Sequence, residues 1–275
     1  MILILLYLFT RLFNLLALPI FTDESIYIYW AKVIEDTHTQ FFISLTDGKP
    51  PLLIWMVAAL LSVLPSDFYL LAGRLPSVFS GLVALIAIYK LTENLFTSRR
   101  AALIAGLFYI ISPMTLFYDR MALFDSMLTA TLLASVYFAV RTGKTRKLTD
   151  ALLWGIFLGL AFLSKPTALV FLPLTVFAAF VLLPVKEIKK DWKHLSGLSL
   201  LAVLIGEGMN NLQRVSNAYP AMLRKNAQFQ QPIAELLKNP FLLTFGNLKG
   251  FFFWSIEYLT IPFFVFGIVA FLYGL

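Results

Sequence analysis

The chain has no cysteine, which excludes a disulfide framework, a thiolate metal site and a cysteine nucleophile, and leaves its redox compartment unreadable. Charge is scarce as well: 13% of the 275 residues are charged, against 60% hydrophobic and a mean hydropathy of +0.83. A soluble domain needs a polar shell that this composition cannot supply, so the chain reads as a polytopic membrane protein. It has no internal repeat and no low-complexity linker. Residues 1–6 (MILILL) have no basic stretch ahead of the apolar run, and no small-residue cleavage site follows, so the first run is expected to be a retained helix and not a signal peptide. The net charge of +7 would suggest nucleic acid in a soluble protein. Here the basic residues fall in short clusters between apolar runs, the pattern of membrane topology, and no nucleic-acid partner is expected.

The apolar runs that are present imply an all-α, polytopic transmembrane bundle of about eight spans. The first runs from about residue 2 to 19 and carries Arg11 near its middle, where a charge costs about 2.5–3.5 kcal/mol on insertion scales. Arg11 should therefore snorkel or, in a structural role, face other helices. Ile26, Tyr27, Trp30, Ala31 and Ile34 recur at helical spacing, so residues 25–34 suit an amphipathic helix lying on the membrane surface. The run 52–64, at about 13 residues, has a length more often interfacial or re-entrant than spanning.

That short run decides the topology. If it does not cross, spans at 69–90, 101–115, 124–140, 148–163, 166–184, 194–208 and 250–275 put three basic clusters on the side of the N-terminus. These are Arg99 with Arg100, Arg141 with Lys144, Arg146 and Lys147, and Lys186 with Lys189, Lys190 and Lys193. The positive-inside bias then makes that side cytoplasmic; if the run does cross, all three clusters become external. The expected organisation is a single module: first span 1–20, external loop 21–68 with juxtamembrane helices, transmembrane core 69–208, external segment 209–249 and last span 250–275.

The external face collects most of the residues that could carry chemistry. Asp23 and Glu24, flanked by aromatics, could hold a hard divalent cation or take a proton from a hydroxyl; the dipeptide alone equally suits two solvated loop residues. Asp119 and Asp125 form a second acidic loop on the same face, where Asp125 heads a helix and could simply cap its free N–H groups. Lys49, Arg74, Arg120 and Lys165 are cations suited to a phosphate or pyrophosphate, with interfacial snorkelling as their structural alternative.

The motifs Asp23-Glu24, Lys49-Pro50-Pro51-Leu52, Ala72-Gly73-Arg74-Leu75-Pro76-Ser77, Asp119-Arg120-Met121-Ala122-Leu123-Phe124-Asp125 and Leu163-Ser164-Lys165-Pro166 occur in this order. In that order the chain resembles membrane glycosyltransferases of the GT-C fold, in the branch of protein O-mannosyltransferases and lipid A aminoarabinose transferases. The resemblance implies a dolichyl- or polyprenyl-phosphate sugar donor taken from the lipid bilayer, and an extracytoplasmic acceptor that is a protein hydroxyl, a lipid or a glycan. It implies Asp23 as the base with Glu24 in support. Asp23 with Asp125 would hold a divalent metal cation, Asp119 being a lesser ligand, and Lys49, Arg74, Arg120 and Lys165 would serve the donor phosphate. No nucleotide or redox cofactor is expected. Members of this family usually continue through further spans, whereas this chain stops at Phe271-Leu272-Tyr273-Gly274-Leu275, so a C-terminal truncation is expected. Two competing functions are a lipid-linked substrate transporter or flippase, which calls for ionisable residues near the midplane and for repeats, and a catalytically silent truncated homologue.

Overall fold

The computed structural model describes the backbone of residues 1–229, 232–241 and 244–274. Among the described residues it is all-helical. In chain order the helices are α1 (Ile2–Leu12), α2 (Thr22–Thr37), α3 (Leu52–Leu61), α4 (Tyr69–Phe96), α5 (Arg99–Ile111), α6 (Pro113–Tyr118) and α7 (Phe124–Thr145). They continue as α8 (Leu148–Ser164), α9 (Leu172–Ala178), α10 (Val185–Asn211), α11 (Tyr219–Ala227), α12 (Ile233–Lys238) and α13 (Thr244–Gly274).

The bundle is a row of neighbours in which α4 packs on α5 and α7, α7 on α8, and α8 on α10. Small residues let these helices approach one another closely, as membrane helices must when lipid is as apolar as their side chains. One core joins Tyr7, Val78, Ala84, Leu85, Ile110 and Ala130 from α1, α4, α5 and α7. A second joins Ala139, Trp154, Leu158, Phe162 and Ala202 from α7, α8 and α10. At Gly143 in α7, an added Cβ would collide with the Ala179 backbone carbonyl.

Among the described residues, three helical segments are long and apolar enough to cross a membrane, Ser66–Phe96, Val185–Val215 and Thr244–Val269, while Ile2–Leu12, Leu52–Leu61, Leu148–Ser164 and Pro166–Ala178 are shorter apolar pieces. Several expected boundaries are corrected. The first helix stops at Leu12, because Asn14 adopts the left-handed conformation (φ 51°) that commonly terminates helices. The run 166–184 is not one continuous α-helix: a 3-10 helix (Pro166–Phe171) precedes the seven-residue α9, which stops at Ala178. Helix α10 starts at Val185 and takes in the whole basic cluster before the expected start at 194. Helix α13 is broken at Thr260 (φ 67°, ψ 156°), with Pro262 just beyond.

Helix α3 has 10 residues, about 15 Å, or half a hydrocarbon core, in keeping with a run that does not span. Its Leu53, Ile54, Val57, Ala58 and Leu61 are buried together with Tyr27, Trp30, Ala31 and Ile34 of α2. The apolar face of α2 therefore packs on protein; only Ile26, of the five residues at helical spacing, stays exposed. Helix α7, at 22 residues, is about 33 Å long, close to the hydrocarbon thickness of about 30 Å. Near its end Lys144 donates to the Asn94 carbonyl, and beyond it Arg146 pairs with Asp191 and Glu187. Arg99 pairs with Glu93. The basic clusters thus share one end of α7, and Asp125 sits at the other.

Replacing Gly143 by alanine sets a helix-propensity gain of up to about 1 kcal/mol against a collision with backbone that cannot swing aside. The collision should win, since overpacking costs about 1–3 kcal/mol. Thermal unfolding of Gly143→Ala in detergent should show a lowered midpoint; an unchanged or raised one would contradict the α7 packing.

Candidate active site

Helix α2 begins at Thr22, so Asp23 and Glu24 lie in its first turn and not in a loop. Consecutive residues on a helix point about 100° apart, so the two neighbouring acids face different surroundings. Asp23 is exposed, whereas Glu24 is wholly buried. Carboxylates at a helix N-terminus are favoured by the partial positive charge there, and Glu24 also accepts the Phe21 N–H at 3.0 Å.

The buried carboxylate meets Arg74 of α4. Arg74 Nε and Nη2 donate to Glu24 Oε1 and Oε2 at 2.9 and 2.8 Å. Its Nη1 donates to the carbonyls of Leu15 and Leu18 at 2.8 and 3.1 Å, and Nη2 also to that of Pro19 at 3.2 Å. A guanidinium has five N–H donors, and these five bonds use them all. Glu24 Oε1 accepts in addition from the Ala122 N–H at 2.7 Å. Burial would raise the Glu24 carboxyl, but the Arg74 bonds and the two backbone N–H groups outweigh it and hold the group below its ordinary value. Glu24 as support for Asp23, and Arg74 at a donor phosphate, are therefore corrected: both are committed to each other inside the protein.

Two more expectations shift in the same way, and the structural reading of Arg11 holds. Asp119, 1% exposed, accepts from Arg11, Tyr109 Oη and Ser126 Oγ, so it is placed as a partner of Arg11 and not as a metal ligand. Arg11 is fully buried and also donates to the Ile110 carbonyl at 2.7 Å and to Thr115 Oγ1 at 3.1 Å, facing other helices. Arg120 donates to the carbonyls of Phe13 and Asn14 at 3.0 and 2.6 Å, closing the end of α1, and is not among the residues lining the cleft that holds Lys49 and Lys165.

The remaining four residues come together. A cavity of about 180 Å³ is lined by Asp23, Lys49, Asp125 and Lys165. These come from the start of α2, the turn before α3, the start of α7 and the residue after α8. Each acid lies at a helix N-terminus and Lys165 at a C-terminus, the ends that favour their charges. Lys165 Nζ contacts Asp125 Oδ1 at 2.8 Å. Lys49 follows Gly48, whose φ of 78° no Cβ would tolerate cheaply and against which Asn226 and Lys225 of α11 are packed; Pro50 and Pro51 stiffen the turn from the other side. Asp23 and Lys49 have no ion-pair partner among the described residues.

The sequence reading missed Tyr27, Tyr118 and Ser164, which also line the cleft. Tyr27 was findable: it lies four residues after Asp23, hence on the same helix face. Its hydroxyl stands 3.5 Å from Asp23 Oδ2 and its ring meets Phe124 edge-on at 4.7 Å. Burial, then the charges of Asp23 and Asp125, push the phenol up, so it remains a hydrogen-bond donor at neutral pH. Larger apolar cavities, of about 550 and 430 Å³, lie along the outer surfaces of α1 and α2 and hold no comparable set of charges.

Chemically, the cleft offers two ammonium groups for a phosphate and one uncommitted carboxylate for a proton. For a divalent cation it offers two carboxylates, one already paired with Lys165; no group of three or more His, Cys, Asp or Glu side chains able to hold a metal occurs among the described residues. Magnesium is commonly bound by one or two carboxylates with substrate phosphate and water, and the cleft fits a cation only on those terms. A family model described as dolichyl-phosphate-mannose-protein mannosyltransferase matches residues 48–207, more than half of the chain. No individually curated protein matches it.

Breaking a buried pair by removing one partner costs about 3–5 kcal/mol, whereas exposed substitutions usually stay within about 0.5 kcal/mol. Arg74→Met should therefore lower the unfolding midpoint strongly and Asp23→Asn hardly at all; equal effects would refute the division between them. Because the Glu24 pKa is lowered on folding, its stabilisation is complete above the ordinary value of 4.5 and is lost as pH falls through the folded value. Unfolding followed between pH 7 and pH 3 should show this acid loss in the native chain, and a reduced loss in Glu24→Gln.

Proposed function

The chain belongs to the dolichyl-phosphate-mannose-protein mannosyltransferase family, a family of polytopic membrane glycosyltransferases, and from that premise we propose that it transfers a hexosyl or pentosyl group from a polyprenyl-phosphate donor to an extracytoplasmic hydroxyl. The observation that carries the reading is the convergence of Asp23, Asp125, Lys49 and Lys165, from four separate segments, on one cleft. A sugar joined to a polyprenol through a phosphodiester needs cations for its leaving phosphate monoester and a base for its acceptor, and this cleft has both kinds of group.

In the proposed step the acceptor oxygen attacks the anomeric carbon. The bond from that carbon to the phosphate oxygen breaks, and its electron pair stays on the phosphate. The acceptor proton passes to the Asp23 carboxylate. Lys49 and Lys165 neutralise the charge that builds on the leaving phosphate, and Asp125 positions the Lys165 ammonium at 2.8 Å. Tyr27 holds Asp23 by donating toward it. A divalent cation bound by Asp23 and Asp125 would add charge neutralisation at the same phosphate. Eight spans, a cytoplasmic N-terminus and a cleft on the external face complete the proposal. It is supported by the gathering of basic clusters at the opposite end of α7, together with the positive-inside bias.

Transfer from a mannosylated polyprenyl phosphate by the reconstituted chain should fall by about 100-fold or more in kcat for Asp23→Asn, the usual worth of a general base. Lys49→Met should lower kcat as well as raise the donor KM, since the Lys49 ammonium meets both the bound phosphate and the charge added as that phosphate leaves. An undiminished rate with Asp23→Asn would remove Asp23 from the mechanism.

A further inference from the structure

Beside the charged cleft, across Pro50, lies a second cavity of about 170 Å³ whose lining differs in kind: amides and an aromatic ring, Asn210, Gln213, Tyr219 and Asn226, over apolar side chains such as Phe162 and Met222. Pro50 lines both cavities, and Lys165 of the first adjoins Pro166 of the second. At about 30 Å³ per water, the space holds about five or six waters, or one small ring. It is well below the 300–1,000 Å³ or so of pockets for larger ligands.

Gln213 is 1% exposed, and its Oε1 has no hydrogen-bond partner among the described residues. A buried acceptor without a partner has lost its hydration with nothing in exchange, so its orientation matters. The Glu207 carboxylate accepts from Asn210 Nδ2 at 3.2 Å. A carboxylate can only accept, so this bond fixes the Asn210 amide with Oδ1 free to accept in turn. Gln213 Nε2 donates to that Oδ1 at 2.9 Å. The relay from Glu207 through Asn210 to Gln213 therefore leaves a carbonyl-type acceptor unused, and its complement is a hydroxyl or N–H.

We propose that this cavity is the sugar subsite of the donor, in which Gln213 Oε1 accepts a hydroxyl of a neutral sugar ring whose C–H face rests on the apolar floor. A pyranose or furanose has hydroxyls at its edge and C–H groups on its faces, which matches amides beside an apolar floor. Its anomeric phosphate would lie in the neighbouring cleft with Lys49 and Lys165, so this inference rests on the proposed function. Helix α11 supplies Tyr219 and Asn226 and packs against the turn carrying Lys49, which couples recognition of the ring to placement of the phosphate.

The test uses the full chain in lipid nanodiscs with three probes: a short polyprenyl methyl phosphate, a diester with the donor's single charge but no sugar (the bare phosphate), its mannosyl counterpart with a series of monodeoxy analogues, and methyl α-mannoside. The native chain should bind the mannosyl lipid about tenfold more tightly than the bare phosphate, the worth of one or two good neutral hydrogen bonds. One deoxy position should lose most of that gain. In Gln213→Met, similar in volume, both the gain and that deoxy penalty should vanish while bare-phosphate affinity stays unchanged. Equal native affinities for the glycosylated and bare lipids would mean that water alone fills the cavity, and would overturn the inference. So would a Gln213 effect confined to the acceptor KM. Should the variant fail to fold, the deoxy series on the native chain decides by itself: a flat series overturns the subsite. If neither lipid phosphate binds but methyl α-mannoside binds in a Gln213-dependent way, the subsite stands and the proposed donor cleft falls.

Discussion

The Glu24–Arg74 pair is the constraint on which the rest of the site depends. One carboxylate and one guanidinium, both fully buried, tie the segment after α1, the first turn of α2, the second turn of α4 and the loop before α7 to a single point. Removing water from such a pair is expensive unless every donor and lone pair is answered, and here all five guanidinium donors are answered. The Arg11–Asp119 pair does the same elsewhere in the bundle, joining α1 to α5 and to the end of α6. The bonds of Glu24 to Arg74 and to the Ala122 N–H fix the start of α2 against the loop before α7, and Asp23 and Asp125 at those helix starts open onto one cavity.

Division of labour among like residues follows from helix geometry. Asp23 and Glu24 are chemically near-equivalent neighbours, yet the 100° step between them sends one to the cleft and the other to the core. Among the cations, the saturated guanidinium of Arg74 cannot also take a phosphate, and the two that line the cleft are Lys49 and Lys165, compact point charges on flexible stems. The second cavity behind Pro50 obeys the same logic of saturation. The relay from Glu207 through Asn210 fixes the Gln213 amide, and the buried acceptor it leaves without a partner among the described residues identifies what the cavity lacks.

Much of the helical inventory was legible. The spacing of Tyr27, Trp30, Ala31 and Ile34 marked the buried face of α2, the length of the run after Pro51 marked a helix too short to span, and the charge clusters marked one end of the bundle. Boundaries failed where a tertiary contact ended or broke a helix. Arg120 takes the carbonyls at the end of α1, and the segment 166–184 splits where apolarity continues but helical geometry does not. On the surface of α2, periodicity could identify an apolar face but not whether lipid or α3 would cover it, since both are equally apolar.

Composition, hydropathy and the order of short motifs determined by themselves that this is a helical membrane protein of a sugar-transferring family, because those properties depend on residue type and spacing alone. Only the tertiary structure decided which of the acids and cations share a cleft. Whether a charged side chain is free to act depends on the groups that already satisfy it, and those groups lie in helices brought together by packing: Arg74 on Glu24, Asp119 on Arg11, and Gln213 with one acceptor to spare.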